Sequence, residues 1–341
     1  MSVQAVFAIP GDLASLTGGY AYDREVLARI NGLQHLPLPE GFPYPSAAAC
    51  AASAQLLASL APGHVLLMDG LAFGALPENV VKDIRAPIVA LVHHPLALET
   101  GLSIDVAQDF AARERKALSY AQAVIVTSSI TRDILVADYG VDAHRITVAL
   151  PGTARAPRAQ GSAASRPHLL AVGSVVPRKA YDLLLDSLDA CQDLDWQLTI
   201  AGSLTRAPEH AQALLARAPN HVSFVGEVTS AELEALYNRA DLFVMASHYE
   251  GYGMVLGEAL VRGLPIVTTD GGALKKTVPQ GSALQVKAGD GAALAQALRR
   301  AMSDPALRRQ LSEASFAAGA KLPTWDETAQ IIAHVLQEVS P

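Results

Sequence analysis

Cysteine is almost missing from this chain: Cys50 and Cys191 are the two present, far apart in the sequence. Neither a disulfide framework nor a cysteine-based metal spacing follows from such a pair. Also missing is any apolar run near the ~20 residues that span a bilayer. Positive charge is outnumbered, with 26 Lys and Arg against 33 Asp and Glu for a net charge of −7. No basic surplus exists to neutralise phosphates, so nucleic acid is excluded as a partner. Residues 1–157 carry 10 basic and 14 acidic side chains. That balance disfavours membrane docking, except peripherally through a local patch such as Arg113, Arg115 and Lys116. The start, Met1-Ser2-Val3-Gln4, lacks the basic opening of a secretion signal. The expectation is a reduced, cytoplasmic, soluble protein, with nothing in the pattern that fixes an oligomeric state.

What is present suits a packed α/β protein. Half of the 341 residues are hydrophobic and 17% are charged, enough for two domains with separate cores. Short apolar strands alternate with helical patterns from Ala5–Ile9 onward, through Val65–Met68, Pro87–Val92, Ala123–Val126 and Ile146–Ala149. Such alternation predicts a parallel sheet covered on both faces. Residues 153–167 are small and polar, with little to fill a core, and read as a linker. The pattern restarts at His168–Val172 and continues through Gln197–Ala201, Val222–Val225, Leu242–Met245 and Pro265–Thr269. Near the end, Ile331, Ile332, Val335, Leu336 and Val339 fall at helical spacing. The domains are therefore expected at 1–152 and 168–324, with a terminal helix over 325–341.

The most informative stretch runs from His248 to Leu260. It holds Glu250 in a loop with Gly251, Tyr252 and Gly253, then Met254, Val255 and Glu258 in an apolar helical run. Strand, glycine loop, helix and strand make a nucleotide-binding unit. Glycines let backbone approach a ligand, N–H groups at a helix start suit a diphosphate, and carboxylates accept from sugar hydroxyls. Arg178-Lys179 follows a strand and precedes the helix Tyr181–Leu188. Two cations at a helix start oppose its dipole but suit an anionic ligand. A loop through Gly18-Gly19 follows the first strand, where open α/β sheets bind ligands. His93-His94-Pro95 ends another strand, and Asp69-Gly70 a third, placing Asp69 for an acceptor pocket. Asp193-Leu194-Asp195 has the Asp-x-Asp form that can hold a metal, but it precedes its strand and reads as a surface turn. Asp270-Gly271-Gly272 follows a strand and is placed for sugar or phosphate.

Glu250 and Glu258, with the Gly18-Gly19 loop, the His93-His94 strand end, Gly173-x3-Pro177-Arg178-Lys179, Gly271-Gly272 and the helix near Trp325, come in an order that resembles the family-4 retaining glycosyltransferases. Their signature is Glu-x7-Glu and their fold is GT-B. The resemblance implies two Rossmann-like parallel-sheet domains facing each other across a cleft, the first binding the acceptor and the second a nucleotide sugar, with the last helix crossing back. It implies Glu250, Arg178, Lys179 and His93 as catalytic. It implies a donor site formed by Gly18, Gly19, His94, Ser174, Gly202, Val225, Glu250, Gly251, Tyr252, Gly253, Met254, Val255 and Glu258, with Glu258 on the ribose. Ser174 stands where the family usually has Arg, and Ala180 where it has Gly; a variant Pro-Arg-Lys pattern makes Arg178 the guanidinium donor.

The implied activity is metal-independent transfer of a hexose-type sugar from a nucleoside diphosphate to an acceptor hydroxyl, with no cofactor besides the donor. No metal-ligand spacing and no Ser/His/Asp set is legible in the sequence. Two other readings stay open: a nucleotide-sugar epimerase of the same architecture, and a non-catalytic nucleotide-sugar-binding subunit. The first would need acid and base groups at the sugar ring; the second has no reason to keep both glutamates, Arg178 and Lys179. The base, the sugar, the acceptor and the linkage are open, as is which of His93 and His94 faces the sugar.

Overall fold

The computed structural model describes residues 4–61 and 63–340. The chain divides into two compact units. The first comprises the chain up to Gly152 and the segment from Pro323 on; the second is Thr153–Leu322.

The first unit is built on six parallel strands: β1 Ala5–Pro10, β2 Leu33–Leu38, β3 Val65–Asp69, β4 Ile88–Val92, β5 Ala123–Val126 and β6 Ile146–Val148. Their order in the sheet is β2-β1-β3-β4-β5-β6, and every pairing is parallel. Strands β1, β3 and β4 are buried along their whole length. That is why they read as unbroken apolar runs rather than alternating ones. The chain reverses direction across the sheet between β1 and β3, where Ala8 lies beside Met68, so the loops after these two strands flank a natural ligand crevice.

The second unit repeats the scheme with β7 His168–Val172, β8 Gln197–Ala201, β9 Val222–Gly226, β10 Leu242–Met245, β11 Ile266–Thr269 and β12 Leu284–Val286. The order β12-β11-β10-β7-β8-β9 puts its switch point between β7 and β10. One core lies on one side of this sheet, around Leu184, Leu188, Leu198 and Leu298. Another lies on the opposite side, around Leu170, Phe243, Leu256 and Ile266.

Two expectations change. Residues 153–167, expected as a linker, are stitched to the second unit. The Ala159 N–H donates to the Arg262 carbonyl, and the Gln160 and Gly161 N–H groups both donate to the Asn238 carbonyl. Asp241 then accepts from the Ser162 N–H and hydroxyl and from the His168 N–H. Hydrogen bonds replace apolar burial in this stretch, so its composition concealed its order. Gly18-Gly19 are not loop residues: they open the helix Gly18–Arg29, which Thr17 caps by accepting from the Tyr20 N–H at 3.2 Å.

The last helix, Trp325–Val339, belongs to the first unit. Its capping box pairs Thr324 with Glu327. The Thr328 hydroxyl donates to the Leu150 carbonyl at 2.7 Å, and the Trp325 ring meets Tyr22 edge-on at 5.5 Å between centroids. No helix among the described residues is long and apolar enough to cross a membrane.

Candidate active site

In the second unit, three loops leave the carboxyl ends of β7, β8 and β9 joined by backbone hydrogen bonds. The Gly173 N–H donates to the Ala201 carbonyl, Val175 to Ser203, and Gly202 to Gly226, each at 2.8 Å. A Cβ at Gly202, where φ is +151°, would lie 2.1 Å from the Gly173 carbonyl oxygen. Only glycine permits this approach. Ser174 and Gly202 therefore share one backbone platform beside the switch point, and the exposed Val225 lies in the adjoining strand β9.

After Ser174 the chain makes a single 3₁₀ turn, Pro177–Lys179, and Ala180 takes a left-handed conformation before the helix Tyr181–Asp189. This turn aims both cations at the loop after β10. Lys179 Nζ lies 2.7 Å from Glu250 Oε1, and Arg178 Nη1 lies 3.0 Å from Glu250 Oε2. The Ser247 hydroxyl donates to Oε1 at 2.8 Å, and Arg178 also donates to the Tyr249 carbonyl at 2.8 Å. Glu250 is only 7% exposed. Burial alone would push its carboxyl upward, but Lys179 and Arg178 outweigh that and hold it at about 2. Two cations thus converge on one buried carboxylate beside the switch point. Such a centre is built for a further anion.

Glu250 is pinned to the next loop as well: it forms a parallel bridge with Gly272, and its carbonyl accepts from the Ala273 N–H at 2.8 Å. The neighbouring Asp270 accepts from the Ala288 N–H at 2.9 Å, a fold contact for a residue expected to face ligand. Gly251, the buried Tyr252 and Gly253 then lead into the helix Met254–Val261. Gly253 (φ +89°) is its N-cap, and no side chain caps this end. The N–H groups of Met254 and Val255 thus open a helix whose first turn carries no acidic side chain.

Glu258 sits one turn further on, apart from Glu250. Its Oε2 accepts from the Tyr237 hydroxyl at 2.8 Å, and its carbonyl accepts from Arg262 at 2.9 Å. Burial raises its carboxyl pKa, with Tyr237 and Arg262 acting in the opposite direction.

The first unit holds a second cluster, at the carboxyl ends of β3 and β4. His93 Nε2 lies 3.2 Å from Asp23 Oδ1 and 3.6 Å from Asp69 Oδ2. Asp23 comes from the helix that Gly18-Gly19 opens and is fully buried; Asp69 is 3% exposed. Asp69 Oδ1 accepts from the Leu71 N–H at 2.7 Å, while Asp23 Oδ2 is buried with no hydrogen-bond partner. A Cβ on Gly19 would sit 3.4 Å from the His93 ring, so Gly19 lies against it. The second histidine, His94, turns to Glu99 at 3.5 Å. The expected Asp193 turn is confirmed as a surface feature, paired with Arg299.

Apart from Glu258, one turn into its helix, the expected residues fall at the carboxyl edge of their sheet or the helix start beside it. The structure joins Arg178, Lys179 and Glu250 in one cluster, and Gly19, Asp69 and His93 in another. Asp23, Tyr237 and Ser247 escaped the sequence reading. Asp23 had one signal: it lies four residues after Gly19, on the same face of one helix. Tyr237 had none, because 21 residues separate it from Glu258.

Residues 153–317 match the model of the family described as Glycosyl transferases group 1. The chain is 30% identical over 268 residues to a D-inositol 3-phosphate glycosyltransferase of Pseudarthrobacter chlorophenolicus, covering 71% of this chain and 64% of the relative. It is 29% identical over 182 residues to a mannosylfructose-phosphate synthase of Agrobacterium fabrum, covering 46% of this chain and 40% of the relative. The chain thus spans less than two thirds of these relatives' length. Among solved structures, a sucrose-phosphate synthase from Thermosynechococcus elongatus superposes with a TM-score of 0.80 at 20% identity, covering 98% of each chain. The Anabaena protein HepE, solved with UDP and glucose, gives 0.79 at 16% identity, covering 98% of this chain and 99% of its own. At these identities the likeness shows the fold, which is α/β and that of the GT-B glycosyltransferases. Residues 153–317 thus carry a Glycosyl transferases group 1 domain, on a chain with the fold of the GT-B glycosyltransferases.

Proposed function

We propose that this protein transfers a hexose-type sugar from a nucleoside-diphosphate sugar to an acceptor hydroxyl, with retention of configuration and without a metal. The observation that carries the reading is the pairing of Arg178 and Lys179 around the buried Glu250 at the β7/β10 switch point. The two cations suit the diphosphate and stabilise the charge it gains as the sugar leaves. Met254 and Val255 offer N–H groups to the same phosphates, Glu258 takes the ribose, and Glu250 takes the donor sugar. In the first unit, His93 serves the transferred sugar and Asp69 the acceptor. Catalysis then consists of positioning and charge stabilisation, with the departing phosphate taking the acceptor proton on the face it leaves.

Nucleoside-diphosphate sugars are screened for binding, and the best binder is assayed for transfer and for slow hydrolysis. Arg178→Ala and Lys179→Ala are expected to lower turnover at least ~100-fold with folding intact, and excess chelator should leave the wild type active. Near-normal turnover in both variants, or a product that is an epimerised donor, would overturn the proposal.

A further inference from the structure

We propose that Asp23, together with Asp69, is the positioning residue of the first unit's site: it holds the His93 imidazole in one orientation with Nε2 protonated, so that Nδ1–H is presented as a charged donor to an oxygen of the ligand. This deepens the glycosyltransferase reading and rests on it.

The geometry is specific. Both carboxylates meet the same ring nitrogen, Nε2, at 3.2 and 3.6 Å, and neither meets Nδ1. A single N–H shared by two carboxylates leaves that nitrogen no occasion to act as an acceptor. Orientation is fixed from other sides too. The Tyr22 ring meets His93 edge-on at 5.2 Å between centroids, and the Thr127 hydroxyl donates to the His93 carbonyl at 3.1 Å. Tyr22 is itself tethered through its hydroxyl to the Ala149 carbonyl at 3.0 Å. Still, 21% of the His93 side chain is exposed, while Asp23 is sealed beneath it.

The charged and titratable neighbours can be named from each packed element. The first helix gives Tyr22 and Asp23, the end of β3 gives Asp69, and the residues after His93 give His94 paired with Glu99. Burial opposes charge on the imidazole, but the two carboxylates outweigh it and raise its pKa. Burial and Asp69 in turn raise the pKa of Asp23. A second proton therefore has a place within the pair of carboxylates, close to the unpartnered Asp23 Oδ2.

The three donor atoms lie within 4.8 Å of one another, a spacing that would also admit a divalent cation.

The full chain, with its histidines labelled with ¹⁵N, is titrated by NMR as wild type, Asp23→Asn and Asp69→Asn, with His93→Gln for assignment. Wild-type His93 should stay protonated beyond pH 8, and Asp23→Asn should titrate at least ~10-fold more easily, a full pH unit lower. In the transfer assay Asp23→Asn should lower kcat ~100-fold with donor KM and nucleoside-diphosphate affinity unchanged. Adding it to His93→Gln should lower kcat no further. The inference is overturned if wild-type His93 is neutral at pH 7, if Asp23→Asn leaves its titration unmoved, or if the two substitutions multiply. It is also overturned if equimolar zinc or manganese binds at His93. Should Asp23→Asn fail to fold, Asp69→Asn reads the same link. The titration needs no activity, so a protein that shows the expected His93 behaviour but transfers no sugar refutes the glycosyltransferase proposal alone.

Discussion

Replacing Glu250 by glutamine keeps the side chain's shape while removing the negative charge that Arg178 and Lys179 share. The ordinary carboxyl value of 4.5 falls to about 2 in the fold, worth ~3 kcal/mol at ~1.4 kcal/mol per unit. Because the folded value lies below the unfolded one, this stabilisation is complete above about pH 4.5 and disappears as the pH falls toward 2. Glutamine mimics the protonated acid, so the variant should unfold with ~3 kcal/mol less stability at pH 7. The deficit should hold constant between pH 8 and 5 and narrow below that. The same change removes the carboxylate that competes with a phosphate for both cations. Pyrophosphate and nucleoside diphosphates should then bind ~10-fold tighter or more, since a unit charge ~5 Å away is worth up to ~3 kcal/mol at an effective dielectric of 20. Turnover should nonetheless fall. Urea unfolding across pH and calorimetry with pyrophosphate measure both effects. A variant as stable as the wild type at pH 7, with unchanged pyrophosphate affinity, would show that the ion pairs of the free protein hold no such energy.

Tyr237→Phe removes the hydroxyl that donates to Glu258; nucleoside-diphosphate affinity should fall ~3- to 10-fold, in line with ~1 kcal/mol for one hydrogen bond, with kcat little changed. Glu258→Ala should weaken the same affinity more, and unchanged calorimetry for it would remove Glu258 from the ribose. Gly202→Ala should cost ~3 kcal/mol or more, because its Cβ would collide with the Gly173 carbonyl; an unaltered melting temperature would contradict the close packing of those loops.

How far the sequence spoke depended on what each residue was asked to do. The strands β5, β7, β8 and β10 match their apolar patterns residue for residue, because burial and secondary structure impose the same periodicity there. Strand β2 escaped: it is an edge strand with Gln34 and His35 exposed and Pro37 within it, and edges tolerate what central strands reject. The three-residue edge strand β12 escaped likewise. Gly18-Gly19 looked like a turn because glycine is a poor helix former, yet the Thr17 cap decided the matter. In the site, residues that directly follow strands were legible. Asp23 and Tyr237 were not, since their roles arise from contacts across elements distant in sequence; Ser247, three residues before Glu250, was hidden instead by the backbone turn that folds its hydroxyl back onto that carboxylate.

The first unit is also discontinuous, and this orders events in time. Its terminal helix brings Trp325 against Tyr22 and buries Ile332, Val335 and Leu336, yet it follows the 170 residues from Thr153 to Leu322. At ribosomal rates of ~5–20 residues per second, the opening unit waits ~10–30 s for that helix. During that interval the face around Tyr22 is uncovered, and the histidine beside it lacks part of its wall. The second unit, continuous in sequence, can close first. The first unit therefore completes only after the second has been made, when the helix Trp325–Val339 reaches it.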